Sequence, residues 1–459
     1  MQTNIIYSKR WLAVAIGALM TGGLLSLILV IGRVPFINTL ITDPNFAKKC
    51  LIVHVNLSIF VWFSAYIAGL FQLIPESKFH IFSRSSVLWA AIIGLVLLVI
   101  TLVIPDVEPI LSNYIPVLNH PFFFAGLGLF ALSVCVAFLD ARLFSSFTST
   151  LENAHNAIPS AAVNGIKAAV VAFLLAVITF GISWFFIDKS VAPDLFFELL
   201  FWGGGHVLQF ANVLAMLVAW IFLVKKLTGS EFISKKISTV LYIVFVLPLF
   251  IAPYFASQIQ SPGIYLSKFT TLMQHGIFPI VCLFIILAIK KIFESKATGK
   301  MDSGQIRSSA FNGFAASVIL ILTGFIFGAL IRGSDTMIPA HYHAAIGAVT
   351  VSFMAMTYEL FPRFSLEIPS EKLQKLANWQ PAIYGIGQFL FAAGLAYARM
   401  LRKVYGEEQI VNSVSQKVGL GIMGFGGLLA VTGGVLFIWI ALRTWWNRSP
   451  QAKLVTNEF

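Results

Sequence analysis

The stretch AHYHAAIGAVTVSFMAMTYEL, Ala340 to Leu360, decides how the whole chain is read. It has no lysine or arginine, and its only acidic residue, Glu359, stands at the far end. It is long enough to cross a bilayer, which takes about 20 apolar residues. Two imidazoles inside such a segment are costly unless they are paired or coordinated. At about 100° per residue, His341 and His343 lie about 200° apart around a helix, so they face opposite ways and each can reach a different partner.

Working outward from that segment, the same apolar length recurs along the chain. Of the 459 residues, 58% are hydrophobic and 11% charged, and the mean hydropathy is +0.88, far above a soluble globular protein. Apolar runs predict twelve membrane helices, at 11–32, 50–75, 86–105, 119–139, 163–187, 194–224, 237–257, 264–289, 307–331, 338–362, 379–399 and 415–442. The segments between them are too short to bury a separate core, so residues 1–459 read as one transmembrane domain. The net charge of +12 comes from lysines and arginines in short loops rather than on one face, which argues against nucleic acid as a partner and for lipid. Pairs such as Lys225-Lys226, Lys235-Lys236 and Lys290-Lys291 fall on one side and predict cytoplasmic N- and C-termini. The first run is longer than a signal-peptide core and ends without a small-residue cleavage site, so it reads as a retained span.

Histidine placement carries the chemistry. His80, His120 and His155 fall in loops or at helix ends, where water accounts for them. His54, His206, His275, His341 and His343 fall inside predicted spans, mostly in the outer half, as a shared layer of cofactors requires. Axial imidazole is a common heme-iron ligand, so the helix carrying His341 and His343 can stand between two hemes, with His54 completing one of them. Unrelated hydrogen bonds across helix interfaces would equally suit any one of these rings. In Trp202-Gly203-Gly204-Gly205-His206 the three glycines cost helix stability but clear a surface for another helix or a flat macrocycle. Cys50, Cys135 and Cys282 form no covalent heme-attachment motif and no paired-cysteine metal site.

Taken together these residues resemble the catalytic subunit of heme-copper oxygen reductases and nitric oxide reductases, over nearly the whole chain. His54 with Phe60, Gly69 and Pro75 resembles that family's low-spin heme helix, and His341, His343 and Gly347 resemble its two-heme helix. The resemblance implies a twelve-helix, all-α membrane bundle with two hemes of b type. His54 and His343 would ligate the low-spin heme and His341 the high-spin heme. Leu200-Phe201-Trp202 through Gly205-His206 is similar to the segment that gives a distal metal its first histidine. Arg399 and Met400 to Tyr405, with Arg402 and Lys403, resemble the basic stretch that neutralises heme propionates.

The departures are as informative. The family's two adjacent histidines at the end of helix 7, found by counting back from Pro279, fall here at Tyr254-Phe255. Phe210 and Leu208 occupy the places of the oxygen reductases' tyrosine and glutamate, and Phe210 also replaces a glutamate of common nitric oxide reductases. Gln274-His275, with Glu198, offers a replacement donor set for iron, copper or zinc. Those residues would equally suit helix-helix hydrogen bonds, and Glu198 a proton relay or an outward-reaching carboxylate.

The resemblance implies reduction of nitric oxide to nitrous oxide, with Glu198 delivering protons and Tyr254 donating a hydrogen bond. It further implies a diatomic gas substrate, a hetero-oligomer in a bacterial inner membrane, and electrons from a partner subunit, cytochrome c or quinol. A divergent oxygen reductase using Tyr254, a heme gas sensor or electron-transfer subunit, and a cofactor-free transporter are the other readings of the same residues.

Overall fold

The computed structural model describes residues 2–31, 43–75, 82–144, 158–302, 304–400, 411 and 413–447. The described residues contain twelve helices long and apolar enough to cross a membrane: α1 (Asn4–Leu29), α2 (Pro44–Leu73), α3 (Arg84–Val103), α4 (Pro121–Phe138), α5 (Ser160–Phe186), α6 (Pro193–Thr228), α7 (Lys235–Ala256), α8 (Pro262–Ala297), α9 (Ser309–Ala329), α10 (Met337–Phe364), α11 (Glu371–Ala398) and α12 (Val414–Trp446). Each expected span is present. The ends differ where water-side caps, rather than apolar length, set them. Asp43 and Pro44 start α2, with the Asp43 carboxylate accepting from the Asn45 N–H. Ser370 caps α11 well before its apolar stretch begins, and Ser413 with Gln416 forms a capping box on α12.

The chain separates into two compact units, residues 1–217 with 234–283 and residues 218–233 with 284–459. In the first, α2 carries a π-helical turn at Asn56–Val61, beginning two residues after His54, a local widening frequent at functional sites. Helix α7 is broken near its end, where Pro248 and Pro253 accompany a 3₁₀ stretch at Leu247–Ile251. Between α3 and α4 lies a hairpin that apolar periodicity does not reveal, β1 (Glu108–Ile110) paired antiparallel with β2 (Val117–Asn119) in the register Pro109 opposite Leu118. Its far strand is tied down by Asn56, whose amide donates to the Pro116 carbonyl at 2.8 Å.

In the second unit α11 and α12 approach at glycines spaced seven residues apart, Gly387 and Gly394 facing Gly419, Gly426 and Gly433. A methyl on Gly387 would sit 2.2 Å from the Ala430 nitrogen, and one on Gly426 2.3 Å from the Phe391 nitrogen. Backbones can approach this closely only without side chains, and such packing is the main source of helix association in lipid.

The helices that carry the in-span histidines differ in enclosure. Within the most apolar window, 94% of α6, 83% of α10 and 72% of α2 is buried, whereas α8 is buried over only 33%. His206, His341, His343 and His54 therefore ride on the most protected helices, and His275 does not.

Candidate functional site

His54 and His341 are held in the same way. His54 Nδ1 lies 2.7 Å from the Gly22 carbonyl on α1, and His341 Nδ1 lies 2.7 Å from the Gly324 carbonyl on α9. A carbonyl can only accept, so each Nδ1 carries the proton and each Nε2 keeps its lone pair. This is the support a metal-ligating histidine uses, because a second bond fixes ring and tautomer. Glycines make the space. A methyl on Gly22 would fall 2.6 Å from Ser58 Oγ, which is itself 3.4 Å from His54 Nδ1, and one on Gly328 would fall 2.8 Å from His341 Nδ1. His343 packs its ring edge-on against Phe391 at 4.6 Å, the residue that α12 presses against from behind.

His206 is 4% exposed and differently surrounded. Its Nδ1 donates to the Trp202 carbonyl one turn back in its own helix, at 2.8 Å. Trp202, Tyr114 and Phe269 wall the ring, with centroids at 4.7, 4.9 and 6.2 Å. The three glycines before it are filled by aromatic side chains: Tyr265 and Phe269 at Gly203, Phe180 at Gly204 and Tyr114 at Gly205. The Tyr265 hydroxyl accepts from the Gly203 N–H at 2.9 Å and donates to the Leu199 carbonyl at 2.8 Å, bridging the backbone of α6. The cleared surface is thus used by rings within this unit.

Glu198, two turns before His206, is not loose. Its two carboxylate oxygens accept from the backbone N–H and the side-chain amide of Asn113, at 2.7 and 2.6 Å. Asn113 and Tyr114 form the hairpin tip, and Tyr114 has φ +65°, a left-handed backbone that costs an ordinary residue about 1–2 kcal/mol. Burial, and then the charge of Glu198, push the Tyr114 phenol well above its usual range, so it stays a neutral donor. Asn113, Tyr114 and Tyr265 are the residues sequence reading missed. The available signal was a loop richer in apolar residues than a connector needs, with Pro109 and Pro116 bracketing Ser112-Asn113.

The other candidates lie elsewhere. On α8 the residues meeting the His206 neighbourhood, Tyr265, Phe269 and Met273, are four apart and form one stripe. Gln274 and His275 are about 100° and 200° around the helix from Met273, and both are exposed. Tyr254 is 59% exposed, while its neighbour Phe255 turns inward onto Phe269 at 6.0 Å. The structure therefore brings Glu198 to the hairpin beside His206, and brings neither Tyr254 nor Gln274-His275 there. Arg402 and Lys403 lie outside the described residues, as do His80 and His155. Arg399, just before them, pairs with Asp335 at 3.3 Å, and Met400 N–H bonds Thr336 Oγ1 at 3.0 Å.

Two cofactor fits follow. The supported imidazoles of His54 and His341, with glycine-cleared cradles, fit axial ligation of heme iron. A distal metal fits less well: among the described residues no group of three or more His, Cys, Asp or Glu is placed to hold a metal ion, and no chemical step is assigned to one.

The chain is 27% identical to an uncharacterised protein of Rickettsia prowazekii (strain Madrid E), covering 96% of each. It is 28% identical to an uncharacterised protein of Aquifex aeolicus (strain VF5), covering 81% of this chain and 88% of that one. A family model, cytochrome c and quinol oxidase polypeptide I, matches residues 7–429. With twelve membrane helices and a match over most of its length, this chain belongs to the cytochrome c and quinol oxidase polypeptide I family, and is a multi-pass membrane oxidoreductase of the heme-copper oxidase type.

Proposed function

We propose that this protein reduces nitric oxide to nitrous oxide: two NO, two electrons and two protons give one N₂O and one water. The reading rests on the aromatic enclosure of His206. Of the positions expected to hold oxygen-reductase groups, Phe210 packs edge-on against Phe245 at 5.3 Å, Phe255 meets Phe269, and Tyr254 is exposed. Splitting dioxygen takes four electrons, whereas joining two nitric oxides takes two.

In this assignment His54 and His343 would hold the low-spin heme and His341 the high-spin heme, and Arg402 and Lys403 would neutralise propionates, as the resemblance implies. The hemes, when bound, pass electrons singly and offer an iron position to the gas. The protein's own contribution is to hold imidazoles in one tautomer, to exclude water with the rings around His206, and to keep a carboxylate, Glu198, at the hairpin edge of that enclosure for proton entry. Electrons come from a donor subunit, cytochrome c or quinol. The bacterial inner membrane, with both termini cytoplasmic, completes the proposal.

The test is the purified protein, reduced and exposed separately to nitric oxide and to oxygen. Nitrous oxide formed from nitric oxide, with slow oxygen consumption, is expected. Steady oxygen consumption without nitric oxide turnover would replace this reading with an oxygen reductase, and the absence of a Soret band would remove both.

A further inference from the structure

Helix α8 carries polar side chains on its outward face at a depth where lipid would surround them. Lys268 marks one edge of the bilayer on this helix: its ammonium donates to Gln258 Oε1, in the turn after α7, and lies over the rings of Tyr254 and Phe255. From Lys268 to Lys290 the helix rises about 33 Å, close to the roughly 30 Å of the hydrocarbon layer. Gln274 lies about 9 Å inside the Lys268 edge, deeper than a glutamine side chain can reach out of. Ser267, Thr271, Gln274 and His275 are all exposed, and among the described residues none of their side chains makes a hydrogen bond or an ion pair. Hydrocarbon chains offer them no partner, so this face is costly in lipid and calls for another membrane helix, the kind of element that brings its own backbone satisfied.

The spacing describes that helix. Ile264, Ser267, Thr271, Gln274 and Phe278 follow one another at three, four, three and four residues, the 3.5-residue repeat that lays one helix along another. The two apolar ends of the seam, Ile264 and Phe278, are 55% and 50% exposed, and the inward stripe of Tyr265, Phe269 and Met273 stands apart from it. Ser267 and Thr271 are small enough for close approach. The seam is also complementary to itself. It carries no charge, Lys268 beside it being turned onto α7, and its hydroxyls and carboxamide each both donate and accept.

We infer that α8 is a dimerisation helix: a second copy of this chain docks on the 264–278 seam about a two-fold axis along the membrane normal, with the two Gln274 carboxamides hydrogen-bonded to each other and His275 beside them. Such an axis keeps both copies in the same orientation, so α8 and its copy run parallel and each residue meets its counterpart at its own depth. A single amide within an otherwise small or apolar seam fixes register and the number of partners. The inference concerns one helix face of the first unit and holds whichever gas is the substrate.

The experiment is cross-linking of the full chain in its native membrane. Thr271→Cys, combined with Cys282→Ser to remove the thiol one turn past Phe278, is oxidised with copper phenanthroline beside Ile178→Cys, a control on the exposed face of α5. A product of twice the chain mass from Thr271→Cys and none from Ile178→Cys is expected. Gln274→Leu, nearly equal in size, is expected to weaken self-association by about 10-fold, read by energy transfer between labelled copies diluted in lipid, with the optical heme spectrum reporting an intact fold. No cross-linked product from Thr271→Cys overturns the inference, and so does equal cross-linking of both variants. A product that joins the chain to a different polypeptide assigns the face to another subunit and overturns the second copy. Unchanged self-association in Gln274→Leu overturns the paired carboxamides.

Discussion

His341 and His206 present the same tautomer but owe it to different neighbours. His341 leans on the carbonyl of Gly324, in the preceding helix, and His54 does the same with Gly22. His206 leans on its own helix, at Trp202, and its ring is walled by Trp202, Tyr114 and Phe269. A ring fixed by a second helix is set by tertiary packing and can be aimed at a metal. A ring fixed by its own turn is set locally, and its surroundings decide what it does. The first kind of ring is held across two helices, and the second is walled by indole, phenol and phenyl groups.

Removing the imidazoles breaks the contrast most severely. His341→Ala should abolish the high-spin heme signal and all turnover while leaving the low-spin spectrum, and His54→Ala or His343→Ala should abolish the six-coordinate low-spin spectrum, as read by optical and electron paramagnetic resonance spectra. Persistence of both signals in His341→Ala would end the two-heme assignment for α10.

Glycine substitutions sharpen the contrast. Gly328→Ala drives a methyl against His341 Nδ1 and should weaken heme retention by about 10–100-fold. In Gly205→Ala the atoms nearest the new methyl belong to Tyr114. It should leave heme content unchanged while costing about 1–3 kcal/mol of stability, which thermal unfolding in detergent measures. Equal heme loss from both would mean the two regions are not independent.

Smaller effects test the hairpin and the outward residues. Glu198→Gln keeps one acceptor for Asn113 and loses the charge, so turnover should fall about 10-fold, the equivalent of about 1.4 kcal/mol, with heme spectra intact. Tyr254→Phe and His275→Ala alter exposed side chains and should change turnover by less than about 2-fold. Elemental analysis of His275→Ala adds a sharp check: loss of one equivalent of a non-heme metal would restore His275 to a ligand role.

The spans were legible because crossing a bilayer is a local demand, met or not met within one window of sequence. The opposed faces of His341 and His343 follow from helix pitch alone. The surroundings of His206 were not legible, because they depend on azimuth and on distant partners. His275 lies at a suitable depth along α8, but Met273 two residues earlier has the inward direction. Glu198 stood out as a carboxylate in an apolar run, while its partner Asn113 is 85 positions away. Three-residue strands are too short for any alternation to register, so the hairpin that carries Tyr114 looked like a connector.

The hydroxyl of Tyr265 has a consequence for biogenesis. It is spliced into the backbone of α6 from a residue 62 positions later in the chain. When α6 first enters the membrane, α8 has not yet been made, and the Leu199–Gly203 turn has no such bridge. The surroundings of His206 therefore cannot reach their final form until α8 has been inserted beside them, so cofactor loading that senses this pocket must come late in assembly.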